Sequence, residues 1–351
     1  MIRKSNRRAP KAALVVAVGV AVVLGGPGAA RAAPAETAAT PIVVGAKNFT
    51  EQYVLGQLYT QALQAKGMKV SYKENIGSTE LIAKALTSGQ ITLYPEYTGV
   101  MLTVTFGRKS TPKTPQATYA LAKRLWAQKG FVLGNRTPFQ DVDAVAVTKA
   151  TAARYGLKTL GDLRKVPNLT LAAFPEFETR QTGLVGLARV YRVRDVDFKP
   201  LAGISAYTLL DRREVLAAGI FSTDPQLASG KYVVLRDPRN VFGFQHVAPI
   251  VNRKLVRENP RLLPTLNAVS RLLTTKVMIA LNKAVAIDKR TPAAVADAFL
   301  RAITWNSPFG GFKESGYGRV NGAEAIDGYL QTKSVWTELS EDVQDPFVMK
   351  V

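Results

Sequence analysis

The stretch that decides the fold joins an apolar run to a polar one, and it reads Pro41-Ile42-Val43-Val44-Gly45-Ala46-Lys47-Asn48-Phe49-Thr50-Glu51. Its apolar half predicts a short buried β-strand. Asn48, followed three residues later by Glu51, has the spacing of a capping box and predicts that a helix begins there with Asn48 as its N-cap. Apolar residues then recur at helical intervals up to Gly67, which we expect to end the helix.

The same alternation continues along the chain. Residues 68–74 predict a second strand, a helix follows Gly77-Ser78-Thr79-Glu80, and residues 91–94 predict a third strand. Strands that alternate with helices in this way are typical of a parallel α/β sheet.

A second strand-and-helix series begins further on. It consists of strands at 143–148, 169–174, 217–222, 233–235 and 247–251, followed by a long amphipathic helix at 265–280. Two separate series favour two α/β lobes over one continuous sheet. We assign residues 41–142 with 245–304 to the first lobe and 143–244 to the second.

Two short segments resemble each other across the lobes. Pro95-Glu96-Tyr97 and Pro175-Glu176-Phe177 each follow a predicted strand, and we expect each to form a turn at the carboxyl end of that strand. Open α/β sheets bind their ligands at such ends. Either the two turns line a cleft, or the likeness of two tripeptides is a coincidence.

Composition excludes several kinds of chemistry. The 351 residues include no cysteine and one histidine, His246, so disulfides, thiolate metal sites and Ser-His catalysis are disfavoured. No phosphate-binding P-loop sequence is present. The net charge is +21, but its basic residues are scattered and lack interleaved aromatics, which favours a solvated basic surface over nucleic-acid binding. We therefore expect no metal, no cofactor and no nucleic acid.

The amino-terminal segment has the pattern of a secretory signal peptide. Basic residues up to Lys11 precede the apolar run 12–26, and Ala30-Arg31-Ala32 provides the small residues of a cleavage site. We expect residues 1–32 to be removed near Ala32 and residues 33–40 to form a flexible leader. The mature protein would then be exported to the periplasm or the cell surface.

Three motifs in order resemble one family. The motifs are Gly45-Ala46-Lys47-Asn48-Phe49-Thr50-Glu51-Gln52, Gly77-Ser78-Thr79-Glu80 and Tyr94-Pro95-Glu96-Tyr97-Thr98-Gly99. They are similar to motifs of the type II solute-binding proteins of osmoprotectant ABC importers, which bind glycine betaine, choline and carnitine. The resemblance runs from about residue 41 to about 301. It implies a type II periplasmic-binding-protein fold with a ligand cleft between two α/β lobes. It also implies an ABC permease as partner, and we expect a monomer.

The same resemblance implies how the ligand is held. Family members bind a trimethylammonium group in a box of aromatic rings and a carboxylate with basic and hydroxyl groups. Lys47 and Arg180 match the positions that bind the carboxylate, while Asp143 and Val100 stand where relatives often have an aromatic residue and a threonine. The ligand-binding residues that we predict are Lys47, Tyr97, Thr98, Asp143, Arg180, Phe221 and Phe244.

The last segment resembles a different family. Residues 305–351, including Pro308-Phe309-Gly310-Gly311-Phe312, are similar to the carboxyl-terminal part of aldehyde dehydrogenases. That family's nucleophilic cysteine and cofactor-binding domain have no counterpart here, so we expect no enzyme activity and expect the segment to pack poorly. Three alternatives to a quaternary-ammonium binder are left open: the same fold with another small polar solute such as an amino acid, a dehydrogenase-like enzyme fragment, and a basic adhesion protein.

Overall fold

Two five-stranded sheets organise residues 40–304, the part of the chain that the computed structural model describes. The strands of the first sheet are β1 (Ile42–Gly45), β2 (Val70–Lys73), β3 (Leu93–Tyr97), β4 (Phe131–Leu133) and, far along the chain, β10 (Val247–Asn252). The strands of the second sheet are β5 (Asp143–Thr148), β6 (Thr170–Ala173), β7 (Asp197–Pro200), β8 (Ala217–Phe221) and β9 (Tyr232–Val234).

Both sheets are mixed and have the same arrangement. The first has the order β2-β1-β3-β10-β4, in which β1 pairs in parallel with β2 and β3 while β10 is antiparallel to β3 and β4. The second has the order β7-β6-β8-β5-β9, in which β6 pairs in parallel with β7 and β8 while β5 is antiparallel to β8 and β9. The predicted two-lobed α/β fold is confirmed, but the first sheet is not purely parallel, because β10 enters it in the opposite direction.

Helices cover the faces of both sheets. Those before β5 are α1 (Thr50–Gln64), α2 (Thr79–Thr87), α3 (Thr98–Val100) and α4 (Pro115–Gln128). Those between β5 and β10 are α5 (Lys149–Tyr155), α6 (Leu184–Gly186) and α7 (Ala206–Asp211). Those after β10 are α8 (Arg253–Glu258), α9 (Leu262–Leu272), α10 (Thr275–Ala286) and α11 (Pro292–Thr304).

The apolar stripe of α1 is the centre of the first lobe. Leu55, Leu58 and Tyr59 are fully buried in a core that also contains side chains of α9, α10 and α11. The Tyr59 hydroxyl lies 2.8 Å from the Ser270 hydroxyl of α9, so its one polar group is satisfied inside this core. A helix near the start of the described residues is thus covered by helices near their end, so two distant parts of the sequence build the core of the first lobe.

The predicted start of α1 is wrong. Phe49, not Asn48, is the residue before the helix, and no side chain caps its first turn. Glu51 does not reach back to the helix start, because its carboxylate is buried and accepts hydrogen bonds from other parts of the chain. The three-residue spacing of Asn48 and Glu51 is therefore not that of a capping box in this chain.

The turn predicted at Pro95-Glu96-Tyr97 is also wrong. These residues continue β3, because their backbone pairs with β10 in the register Tyr97 to Val247 and Pro95 to Pro249. The segment Pro175–Glu178 is a short 3-10 turn that follows β6, as predicted. The two similar tripeptides thus have different conformations, although residues of both, Tyr97 from the first and Glu176 and Phe177 from the second, line one cavity.

The predicted helix at 265–280 is two helices. α9 ends at Leu272 and α10 begins at Thr275. Thr274 separates them, since its side-chain oxygen accepts a hydrogen bond from the Val277 amide and so caps α10. The apolar periodicity continues through the break because both helices pack on the same core.

Several expectations fall outside the described residues. The signal peptide at 1–32, nearly all of the leader at 33–40 and the segment 305–351 belong to this group. None of the helices within residues 40–304 has the length and hydropathy needed to cross a membrane.

Close backbone contact makes glycine necessary beside the short turn after β6. A methyl group at Gly183 would overlap the backbone carbonyl oxygen of Phe177. We expect Gly183→Ala to lower the free energy of unfolding by about 1–3 kcal/mol, the usual effect of overpacking, in urea-induced unfolding. The control is Gly161→Ala, whose methyl group would lie 3.3 Å from the Tyr191 ring. Equal stability of the two variants would contradict this account.

Candidate functional site

A small cavity lies between the lobes at the strand ends. Its volume is about 60 Å³, enough for a few water molecules. The first lobe contributes residues that follow β1 and end β3, and the second contributes the start of β5 and the ends of β6 and β8. Five of the predicted residues line it together: Lys47, Tyr97, Asp143, Arg180 and Phe221.

Four aromatic rings, two from each lobe, form a continuous cluster at this cavity. The Phe49 ring is stacked on Phe221, with centroids 5.1 Å apart, and on Tyr97, with centroids 6.2 Å apart. The Phe174 ring is tilted against Phe221 at 5.9 Å and against Phe49 at 6.5 Å. The cluster therefore joins the lobes through ring contacts.

Phe49 and Phe174 were missed by the sequence reasoning. Phe49 stands four residues after the end of β1, within the motif quoted for the family, and Phe174 directly follows β6, at the end of the predicted strand 169–174. A signal was present, since both residues stand at the carboxyl side of a strand where α/β sheets bind ligands.

Lys47 follows β1 and is buried in the cavity wall. Its ammonium donates to the Glu96 carboxylate at 2.6 Å and to the Thr79 hydroxyl at 3.2 Å. The same nitrogen lies 4.4 Å from the centroid of Tyr97 and 5.5 Å from that of Phe49. The ring faces of this cluster thus already contact a cation, as cation–π attraction favours.

Arg180 forms an ion pair across the cleft. Its Nη2 and Nε donate to the two carboxylate oxygens of Glu80 at 2.8 and 3.3 Å, and Glu80 belongs to α2 of the first lobe. On its own side, Nη1 lies 3.8 Å from Glu176. The bidentate geometry fixes the guanidinium plane at the cavity.

Asp143 begins β5 and lies half-buried in the same wall. Burial raises the pKa of its carboxyl to about 6, and the nearby charge of Glu176 also raises it. The positive charges of Arg180 and Lys47 and the Thr182 hydroxyl act in the opposite direction. This carboxyl therefore changes charge close to neutral pH.

A buried carboxylate lies behind the Tyr97 ring. Glu51, in the first turn of α1, accepts hydrogen bonds from the Tyr97 hydroxyl at 2.9 Å, the Thr223 hydroxyl at 2.6 Å and the Asn282 side-chain amide at 3.0 Å. Burial raises its pKa in spite of these donors. Sequence reasoning assigned Glu51 to a helix cap and so missed its position beneath the ring cluster.

Asp141 adds a second buried carboxyl to the wall. Its Oδ1 accepts hydrogen bonds from the Thr223 amide at 3.1 Å and the Ser222 hydroxyl at 3.3 Å. Burial raises its pKa well above the ordinary value, and the neighbouring charges of Glu51 and Asp224 add to the effect. Within residues 40–304, no group of three or more acidic, His or Cys side chains has the arrangement of a metal site.

Thr98 and Phe244 are not among the residues that line the cavity, so the structure does not bring these two predicted residues together with the other five. The Thr98 hydroxyl is turned away and donates to the backbone carbonyl of Phe244 at 2.9 Å. The next residue, Gln245, lines the cavity instead, held by a hydrogen bond from the Val100 amide at 3.0 Å. Its side chain packs so closely on Gly99 that a methyl group there would lie 2.6 Å away.

Two mixed α/β lobes with an aromatic, charged cavity between them define a solute-binding protein of the type II fold. YehZ from Escherichia coli, in a solved structure, superposes with a TM-score of 0.56 at 27% identity over 76% of this chain and all of that one. A glycine betaine/carnitine/choline ABC transporter structure superposes with a TM-score of 0.61 at 23% identity, over 74% of this chain and 97% of that one. The predicted fold class is confirmed.

The family follows from the sequence comparisons. The model of the substrate binding domain of the ABC-type glycine betaine transport system matches residues 40–302. The glycine-betaine-binding protein of Pseudomonas aeruginosa is 31% identical over an alignment of 285 residues that covers 78% of this chain and 90% of that protein. The chain belongs to this family of transport substrate-binding domains, which is not a family of enzymes.

The second resemblance is a short one. The aldehyde dehydrogenase family model matches residues 295–335. A putative aldehyde dehydrogenase of Bacillus subtilis is 54% identical over 35 residues, only 7% of that protein. Both family matches include residues 295–302, and there α11 buries Val295 and Phe299 in the core of the first lobe.

The pKa of Asp143 should depend on the nearby positive charges of Arg180 and Lys47. We expect a carboxyl pKa of about 6 from carbon-detected NMR of the full chain. Arg180→Gln removes a positive charge that stabilises the ionised form, so the pKa of Asp143 should rise. The control is Lys165→Gln, which removes an ammonium paired with Asp162 elsewhere in the second lobe. An unchanged pKa in Arg180→Gln would show that the two groups do not interact.

Proposed function

We propose that this chain captures a small quaternary ammonium solute of the glycine betaine or choline type and delivers it to an ABC permease. The observation that carries the proposal is the cluster of four rings, two from each lobe, at a cavity that also contains Asp143. The names of its relatives agree, since they include glycine betaine binders and a carnitine transport binding protein.

The chemistry of the cavity suits such a ligand. A quaternary ammonium has no N–H to donate, so it is best held by ring faces and by dispersed negative charge. The ring faces are those of Phe49, Tyr97, Phe174 and Phe221, and the negative charge is that of Asp143. Lys47 already shows that a cation is stable against the faces of Tyr97 and Phe49.

Ligand binding would be coupled to movement of the lobes. The Phe49 and Phe221 rings are stacked at 5.1 Å, which leaves no room for a trimethylammonium group between them. Glu51 with Thr223, and Glu80 with Arg180, also connect the lobes. Capture then requires these contacts to open and to close again around the solute, and the closed form is the one that a permease would recognise.

The setting of the protein is part of the proposal. A signal peptide at 1–32 would export the chain, and the division into lobes at 41–142 with 245–304 and 143–244 follows the origin of the strands in the two sheets. We propose that the chain acts as a monomer and performs no catalysis.

Removal of one ring tests the binding mode. We expect Phe221→Ala to weaken choline or glycine betaine binding about ten-fold, because a desolvated cation loses a ring face, and Phe221→Tyr to retain binding. Isothermal titration calorimetry with the purified full chain measures both. The control is Tyr155→Ala, which removes a half-buried ring of the second lobe that does not line the cavity. Binding of neither solute by the unmodified protein would refute the proposed function.

A further inference from the structure

Both cations of the cavity are already neutralised by carboxylates of the protein. Lys47 is paired with Glu96 at 2.6 Å, and the Glu96 side chain is fully buried. To release Lys47 would leave a buried glutamate without its counter-charge, which is strongly unfavourable. Glu96 cannot turn away easily, because it also accepts hydrogen bonds from the Tyr97 amide and the Tyr94 hydroxyl.

Arg180 is also paired, although the side chain of its main partner, Glu80, is half exposed. Glu80 occupies its Nε and Nη2, and Glu176 lies near Nη1. A ligand carboxylate that approached Arg180 would have to displace Glu80, and it would do so close to Glu176. The two residues that the family resemblance assigns to a ligand carboxylate are thus not free to receive one.

Among the described residues, the carboxyls of the site, unlike its two cations, have no partner of opposite charge in direct contact. Asp143 and Asp141 line the cavity, and Glu51 and Asp224 lie behind its rings. Within residues 40–304, none of these four has a Lys, Arg or His nitrogen within 4.0 Å. Burial raises the pKa of each of these carboxyls, and a cation bound nearby would stabilise its ionised form. The cavity therefore has unused capacity for positive charge and none for negative charge.

We propose, on the basis of the function proposed above, that this cavity selects quaternary ammonium compounds with a net positive charge, such as choline, over zwitterionic betaines. The ring cluster and Asp143 bind the cationic head. Glu80 and Glu96 exclude a ligand carboxylate, since they occupy the guanidinium and the ammonium that would bind it. Glu80 and Asp143 are the residues that determine this specificity.

Choline and glycine betaine make a matched pair of probes. They share the trimethylammonium head and are similar in size, and they differ in whether the other end is a hydroxyl or a carboxylate. A hydroxyl needs no counter-ion, whereas a carboxylate that stays unpaired beside Asp143 is repelled. We expect the full chain to bind choline about ten-fold more tightly than glycine betaine in titration calorimetry at neutral pH.

Two substitutions should change the ratio of the two affinities. Glu80→Gln frees the Arg180 guanidinium, so glycine betaine binding should strengthen several-fold while choline binding stays nearly constant. Asp143→Asn removes the carboxylate that favours a net cation, so choline binding should weaken more than glycine betaine binding. A purely structural effect would weaken both solutes alike. The control is Glu214→Gln, which removes an exposed partner of Arg212 and should leave the ratio unchanged.

The outcomes separate the two proposals. Preference for choline, reduced by Glu80→Gln and by Asp143→Asn, supports the selectivity. Equal or tighter binding of glycine betaine by the unmodified chain overturns the selectivity and leaves the proposed function in place. An affinity ratio that neither substitution alters overturns the roles of Glu80 and Asp143. Binding of neither solute overturns both proposals together.

Discussion

The buried carboxylate of Glu51 is the interaction on which the site depends. It receives hydrogen bonds from β3 through Tyr97, from the second lobe through Thr223 and from α10 through Asn282. A buried carboxylate without donors costs several kcal/mol, so these three hydrogen bonds hold the groups together while the lobes are closed. The Tyr97 ring is oriented by this requirement, and the Phe49 ring stacks upon it. The ring cluster is therefore positioned by a polar contact behind it.

The placement of charge at the site follows from the same low-polarity surroundings. Lys47 and Glu96 form a buried pair whose two partners are held by additional hydrogen bonds, which is the condition under which such a pair is tolerated. Asp143 lacks such a partner, and its raised pKa records the cost. Within one cavity, burial thus produces one neutralised pair and one carboxyl that would be stabilised by a bound cation.

Much of the fold could be predicted from local patterns, and the errors have physical causes. Strands such as β5 and β8 are short apolar runs, so period and length identified them. The break at Thr274 was not visible because α9 and α10 present their apolar faces to one core. The strand β3 continues past its predicted end, because pairing with β10 extends it through Pro95, where a proline by itself favours a turn.

The residues of the site, like the elements of the fold, could be predicted only in part from the sequence. Wall residues such as Lys47 and Phe221 could be assigned from the sequence through the resemblance to the family, and they lie next to strand ends that meet at the cavity. Their partners could not, since Lys47 and Glu96 are 49 residues apart and Arg180 and Glu80 are 100 residues apart. A lysine or arginine that is already paired with a carboxylate of the protein does not bind the same solutes as one that is unpaired. Which ligand the cavity accepts is therefore decided less by its wall residues than by the pairing among them, and that pairing exists only in the folded chain.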